Sequence, residues 1–200
     1  MHNKKPTSNN SDNYETPSYV WDLILKYIPR TLVIYEPFFL NGNSGAYITS
    51  KGYKCIHKNT DFFKNDVTLS SYDIIVSNPP FSKRKEIFEK LKELNKPFAL
   101  IVPLQTLVNT YFKTLFNNNV QIIIPKTRIG FIQNDVWTNR SDFDSVILTH
   151  NLNLPQDIIF ESEIVPRPPN IFYCPHCTVS IKMRGKASHI KGKQHLINAS

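Results

Sequence analysis

Short apolar runs alternate along the chain with stretches of helical periodicity. Strand character recurs in "TLVIYEP" (31–37), "YKCIHK" (53–58), "YDIIVS" (72–77), "FALIVP" (98–103), "VQIIIP" (120–125), "TRIGFI" (127–132) and "DSVILTH" (144–150). Several of these runs are continuously apolar, the pattern of strands buried on both faces. Between them, Val20, Ile24, Tyr27 and Ile28 recur at helical spacing. They predict a helix from Pro17 to Ile28 with Thr16 as N-cap, Pro17 in the first helical position and Pro29 as the stop. Ile87, Leu91 and Leu94 mark the apolar face of a second helix over 83–96, and "LQTLVNTYFKTLFNN" predicts a third over 104–118. Strands alternating with helices predict an α/β fold, a Rossmann-like doubly wound sheet, mostly parallel and covered on both sides. Such sheets bind ligands at the carboxyl ends of their strands, near the point where strand order reverses.

The ends of the chain have a different texture. Residues 1–13 are polar and rich in Asn and Ser, the composition of a disordered N-terminus. Residues 14–150 carry the α/β pattern, 151–170 hold four prolines and read as a linker, and 171–200 are too short to form a core without a staple. A chain of 200 residues with 40% apolar and 12% aromatic side chains suits one globular domain plus a small appendage. No apolar run reaches 18 residues and the N-terminus lacks an apolar core segment, so neither a membrane span nor a secretory signal is expected, and the location expected is intracellular. The formal charge of +8 is unevenly spread. From Pro166 onward there are six basic residues and no acidic one, against 18 basic and 16 acidic residues before it, which points to a polyanion-binding tail.

Three strand ends carry residues with chemistry. "YEPFFLNGNSG" (35–45) places Glu36 and Phe38 ahead of Gly42 and Gly45. An acid at a strand tip can accept bonds from an ammonium or hydroxyl group, and glycines let backbone approach a ligand, although Gly-Asn clusters are also ordinary turn chemistry. "YKCIHKNTDFF" ends on Asp61, Phe62 and Phe63, which suit either an adenine ring or a capping Asp beside two core rings. "DIIVSNPPF" ends on Asn78, Pro79, Pro80 and Phe81. A residue before proline is held extended, so Asn78 is fixed with its side-chain carbonyl free. That oxygen and the Pro79 carbonyl form two acceptors for the hydrogens of an exocyclic amine, and Phe81 offers a flat stacking face. His57 and His150 also lie at strand ends and read as ordinary polar residues.

"NPPF" in this setting resembles the catalytic motif of S-adenosylmethionine-dependent amino-methyltransferases, especially those acting on adenine N6. "YETPSYVWDLI" is similar to the "ETP" segment before the first strand of gamma-type DNA adenine methyltransferases, and "YEPFFLNGNSG" to their acidic-aromatic-Gly loop, with glycines more widely spaced than in a compact F-x-G-x-G. The resemblance spans residues 14–150 and leaves no place for a separate target-recognition domain. It implies that Tyr14, Thr16, Pro17, Glu36, Phe38, Gly42, Gly45, Asp61 and Phe62 bind S-adenosyl-L-methionine. It also implies that Asn78, Pro79, Pro80 and Phe81 form the catalytic motif. In the mechanism so implied the base is flipped out of its stack, Phe81 stacks on it, and Asn78 with Pro79 hold the amine, which attacks the methyl group and loses its proton afterwards without a general base.

The tail contains Cys174-x2-Cys177-x11-His189-x5-His195. Two thiolates and two imidazoles suit tetrahedral zinc, which would also supply the folding energy that so short a segment lacks. "YCPHC" with "HIKGKQH" resembles matrin-type zinc fingers, which implies contact with RNA, double-stranded RNA or protein; Lys182, Arg184, Lys186, Lys191 and Lys193 would then meet phosphates. The function expected is N6-adenine methylation of DNA or RNA, with the finger aiding substrate binding. The rivals are protein-glutamine N5 methylation, cytosine N4 methylation and a catalytically silent nucleic-acid-binding subunit.

Overall fold

The computed structural model describes residue 12 and residues 14–64, 67–133, 136–138, 144–162, 171–174 and 179–182, with backbone alone for 136–138, 171–174 and 179–182. Helix α1 (Ser18–Leu25) starts one residue later than its periodicity predicts, because Pro17 takes an extended conformation (φ −63°, ψ 149°) at the N-cap. The helix ends at Leu25, whose carbonyl accepts from the Ile28 N–H (3.0 Å), and the Tyr53 hydroxyl lies within bonding distance of the Leu25 (2.7 Å) and Ile28 (3.2 Å) carbonyls.

The chain continues through β1 (Val33–Tyr35), α2 (Asn43–Ser50), β2 (Lys54–Ile56), β3 (Ile74–Ser77), α3 (Arg84–Leu94) and β4 (Phe98–Pro103). Helix α2 was not legible as a helix, since its sequence "NSGAYITS" mixes Gly, Ser and β-branched residues and has little apolar periodicity. The helix expected over 104–118 is broken into a 3₁₀ turn, Leu104–Val108, and α4 (Thr110–Leu115). Asn109 stands between them in an extended conformation at the N-cap, a position Asn favours over a helix interior. Next follow β5 (Val120–Ile124), a hairpin of β6 (Phe131–Gln133) and β7 (Val136–Thr138), β8 (Ser145–His150) and β9 (Ile158–Phe160). A second hairpin pairs β10 (Ile171–Cys174) with β11 (Val179–Lys182), Cys174 opposite Val179.

Seven strands form one sheet in the order β2-β1-β3-β4-β8-β5-β9. The first four are mutually parallel. β8 then lies antiparallel to both β4 and β5, so the sheet is mixed where a mostly parallel one was expected. The chain turns back through the β6–β7 hairpin, and an antiparallel return needs no crossover helix. β9, within the stretch read as linker, pairs parallel with β5 and carries the sheet past residue 150.

Alternate residues of the strands face opposite cores. Ile34, Ile74, Val76, Ala99, Ile101 and Ile147 pack with α1 through Val20 and Ile24, and with Ile48 of α2. Tyr35, Ile75, Phe98, Leu100, Val102 and Leu148 pack on the other face with α3 through Ile87, Phe88 and Leu91, and with Phe112 of α4. Two covered faces make this a doubly wound α/β domain, as the continuous apolar strands predict.

Candidate active site

β1 lies between β2 and β3, so the strand order reverses at β1 and a crevice opens at the carboxyl ends of β1 and β3. Glu36 directly follows β1 and Asn78 directly follows β3. A cavity of about 450 Å³ lies there, within the range of small-molecule sites.

The "ETP" segment forms one wall. Glu15 and Ile132 exchange backbone hydrogen bonds (2.8 and 2.9 Å), which tie this segment to β6. The Glu15 carboxylate accepts from the side-chain amides of Asn41 (2.8 Å) and Asn43 (2.9 Å), closing the segment over the start of α2. Tyr14, Glu15 and Thr16 line the cavity, while Pro17 is buried behind them. Asp12 also lines it; its carboxylate accepts from the N–H groups of Phe81 (3.0 Å) and Ser82 (3.3 Å), at the end of the NPPF motif.

The loop after β1 forms the second wall, with Phe38, Asn41 and Ser44 among its lining residues. Gly42 caps α2 in the left-handed region (φ 84°), which a side chain would strain. Gly45 is buried in the first turn of α2, and a Cβ there would fall 2.4 Å from the His57 ring. Neither glycine lines the cavity; both shape the loop behind it.

Glu36 is 1% exposed and ties the walls together. One oxygen accepts from the Phe38 N–H (3.1 Å) and from the Ser77 hydroxyl, the other from the Ser44 hydroxyl (2.8 Å) and His57 Nδ1 (2.7 Å). A carboxylate offers about four acceptor positions, so these bonds fill it. His57 Nδ1 also lies 2.8 Å from the Glu36 carbonyl, Nε2 lies 3.3 Å from Ser44 Oγ, and the ring stacks on Phe39 at 4.8 Å. Burial disfavours the imidazolium, but the Glu36 carboxylate beside it, together with the backbone carbonyls, outweighs burial and raises His57 above the usual histidine value of 6.5. Burial, with the Glu36 charge second, pushes the neighbouring Cys55 thiol up to about 12.

The loop after β2 supplies the third wall. Asp61 is exposed, accepts from the Phe63 N–H (3.0 Å) and lines the cavity beside Phe62, which packs on Phe38 at 5.3 Å. The Phe63 ring meets Phe62 edge-on at 5.5 Å and lies under Lys83 Nζ at 5.8 Å. Lys83 is the one lining cation among the described residues, against four lining carboxylates at Asp12, Glu15, Glu36 and Asp61.

From the motif itself, Asn78 and Pro80 line the cavity, whereas Pro79 is buried and Phe81 half-buried outside its lining. Asn78 Oδ1 is buried and has no hydrogen-bond partner among the described residues, and neither has Thr60 Oγ1 on the facing wall. The folded chain therefore gathers Tyr14, Thr16, Glu36, Phe38, Asp61, Phe62, Asn78 and Pro80 around one cavity and sets Pro17, Gly42, Gly45, Pro79 and Phe81 behind it. Sequence reasoning missed Asp12, Ser44, Thr60 and Ser77, and read His57 as an ordinary polar residue. Its place at a strand end was legible, but its bonds to Glu36 and Ser44 depend on residues distant in sequence. Cys177, His189 and His195 lie outside the described residues, as does the Cys174 side chain; among the described residues no group of three or more His, Cys, Asp or Glu side chains is arranged to hold a metal ion. Among the same residues no helix is long and apolar enough to cross a membrane.

Fold and site together define a doubly wound α/β domain with an acidic, aromatic-walled cavity at its switch point. No protein-family model matches the sequence, and no curated protein matches it. Among solved structures, a precorrin-6y C5,15-methyltransferase from Geobacter metallireducens GS-15 is similar at 11% identity and a TM-score of 0.40, over 70% of this chain and 93% of that one. TrmN from Thermus thermophilus is similar at 10% identity and a TM-score of 0.32, over 66% of this chain and 47% of that one. Likenesses this distant leave the chemistry to the residues of the site.

Proposed function

We propose that this chain is an S-adenosylmethionine-dependent methyltransferase acting on the N6 amine of adenine in DNA or RNA. The observation that carries the proposal is Asn78 Oδ1, a buried acceptor at the edge of the cavity with no partner among the described residues. Leaving such an atom unpaired costs about 1–3 kcal/mol, a penalty that a ligand N–H would remove. The donor set also fits the cofactor. Four carboxylates against one lysine suit a ligand with sulfonium and ammonium charges better than a polyphosphate. Phe38, Phe62 and Trp21 offer apolar faces for an adenine ring.

In this reading Tyr14, Thr16, Phe38, Asp61 and Phe62 hold the cofactor, whose contribution when bound is an electrophilic methyl group. Asn78 accepts a hydrogen from the substrate amine and orients the nitrogen lone pair. Its carbonyl dipole stabilises the positive charge that grows on nitrogen, and the proton leaves to solvent after transfer. Pro79 holds Asn78 extended, and Ser77, bonded to Glu36, fixes the end of β3 just before it. Phe63 and Phe81 flank the motif as stacking faces for a flipped base.

Cys174, Cys177, His189 and His195 form a zinc finger in the same proposal, and the basic residues around them hold the nucleic-acid backbone. The test is transfer of an isotopic methyl group onto a panel of duplex and single-stranded DNA and RNA, followed by nucleoside mass spectrometry. N6-methyladenine in at least one polymer is expected. Cofactor binding without transfer to any of them would overturn the proposal, and label on protein glutamine would replace it with the amide-methylating rival.

A further inference from the structure

We propose that His57, which stands behind the cavity, is a positioning residue that decides whether Glu36 can receive a ligand. The proposal deepens the cofactor reading above and rests on it. Its basis is the direction of the hydrogen bonds. Ser44 donates its hydroxyl proton to Glu36 (2.8 Å), so its oxygen can only accept from His57 Nε2 (3.3 Å), while Nδ1 faces two acceptors on Glu36 (2.7 and 2.8 Å). Both ring nitrogens thus face acceptors, which is the geometry of an imidazolium. In that state all acceptor positions of Glu36 are filled and its charge is paired.

When His57 loses the Nε2 proton, that nitrogen becomes an acceptor and the Ser44 hydroxyl can turn to it. Nδ1 keeps its proton and its bond to Glu36. One Glu36 position on the cavity wall is then vacated for a ligand hydroxyl or ammonium, and the carboxylate charge is no longer paired. The slot is rigid: Phe39 covers one side of the ring, and Gly45 backs it so closely that no side chain fits. Few other groups intervene. Cys55 on β2 stays a thiol to about 12, and Glu15 is held by the amides of Asn41 and Asn43. The same ring is held above the usual histidine value by Glu36, which puts the change above 6.5.

The test is calorimetric titration of the full chain with S-adenosylmethionine and S-adenosylhomocysteine between about pH 6 and 9, with the His57 imidazole followed by NMR. In the wild type, affinity for S-adenosylmethionine should rise about tenfold as His57 deprotonates, with a smaller rise for the uncharged thioether. His57→Asn, whose amide keeps the bond to Glu36, should give a flat profile, and Ser44→Ala, which vacates the position at every pH but leaves His57 to titrate beside Glu36, should give a smaller step than the wild type. A flat wild-type profile, or an unchanged step in either variant, would overturn the proposal. Absence of any isotherm for both ligands at every pH would instead remove the cofactor reading, so the two failures are distinguishable.

Discussion

Asn78 is held extended by the proline that follows it, and its amide oxygen lies buried at the cavity without a partner among the described residues. If that oxygen grips the substrate amine, Asn78→Ala should lower kcat by about 10²–10³-fold in a methyl-transfer assay. Calorimetric affinity for S-adenosylmethionine should stay within about threefold, a change worth under 1 kcal/mol. Asn78→Asp keeps an acceptor at the same place and should retain measurable turnover. Gly45 makes a different kind of prediction, because its replacement by Ala would set a Cβ 2.4 Å from the His57 ring. Overpacking of this sort costs about 1–3 kcal/mol, and thermal unfolding should move down by roughly 2–4 °C per kcal/mol. At this scale the placement of Asn78 and Pro80 at a cavity was legible because Asn-Pro-Pro-aromatic is rare in composition, whereas Pro79 and Phe81, expected to face the ligand, fall outside the lining. The Glu36–His57–Ser44–Ser77 network was not legible. Its members come from four separate elements, and only the strand order brings them together.

Among the elements, the buried strands were readable from their continuous apolar runs and the capped helix α3 from its period. The break at Asn109 in the helix expected over 104–118 escaped, and so did three other features. Helix α2 lacks an apolar stripe, β9 is a three-residue edge strand with Ile158 and Phe160 exposed, and the antiparallel direction of β8 is set by a hairpin rather than by its own composition. The turn that ends α1 is braced from outside it, since the Tyr53 hydroxyl, just ahead of β2, reaches the carbonyls of Leu25 and Ile28. Tyr53→Phe should therefore cost about 0.5–1.5 kcal/mol in a urea titration, the net worth of one hydrogen bond, since the Leu25 carbonyl keeps the Ile28 N–H. β8 contributes a second expectation. His150 is 7% exposed between the Phe98 and Phe116 rings, and burial, with Lys92 adding repulsion, lowers it below the usual 6.5.

Across the whole molecule, the two histidines act in opposite directions on stability. His57 has a raised folded value, so its contribution is complete below 6.5 and is lost as pH climbs through that raised value. His150 has a lowered one, so its contribution is present above 6.5 and is lost as pH falls through the lowered value. Thermal unfolding followed against pH should show His57→Asn flattening the alkaline limb and His150→Phe the acid limb. The basic tail, with six cations and no acid from Pro166 onward, belongs to substrate capture in the proposed function. Chelating zinc or replacing Cys174 by Ser should weaken nucleic-acid binding and flatten its salt dependence while leaving cofactor affinity unchanged, as titrations at two salt concentrations would record. The central claim, that Asn78 presents an adenine amine to a methyl donor, is tested most directly by nucleoside mass spectrometry. DNA and RNA are incubated with isotopically labelled S-adenosylmethionine and either the wild-type protein or its Asn78→Ala variant. Labelled N6-methyladenine with the wild type and none above background with the variant is the expected result; equal labelling by both proteins would contradict it.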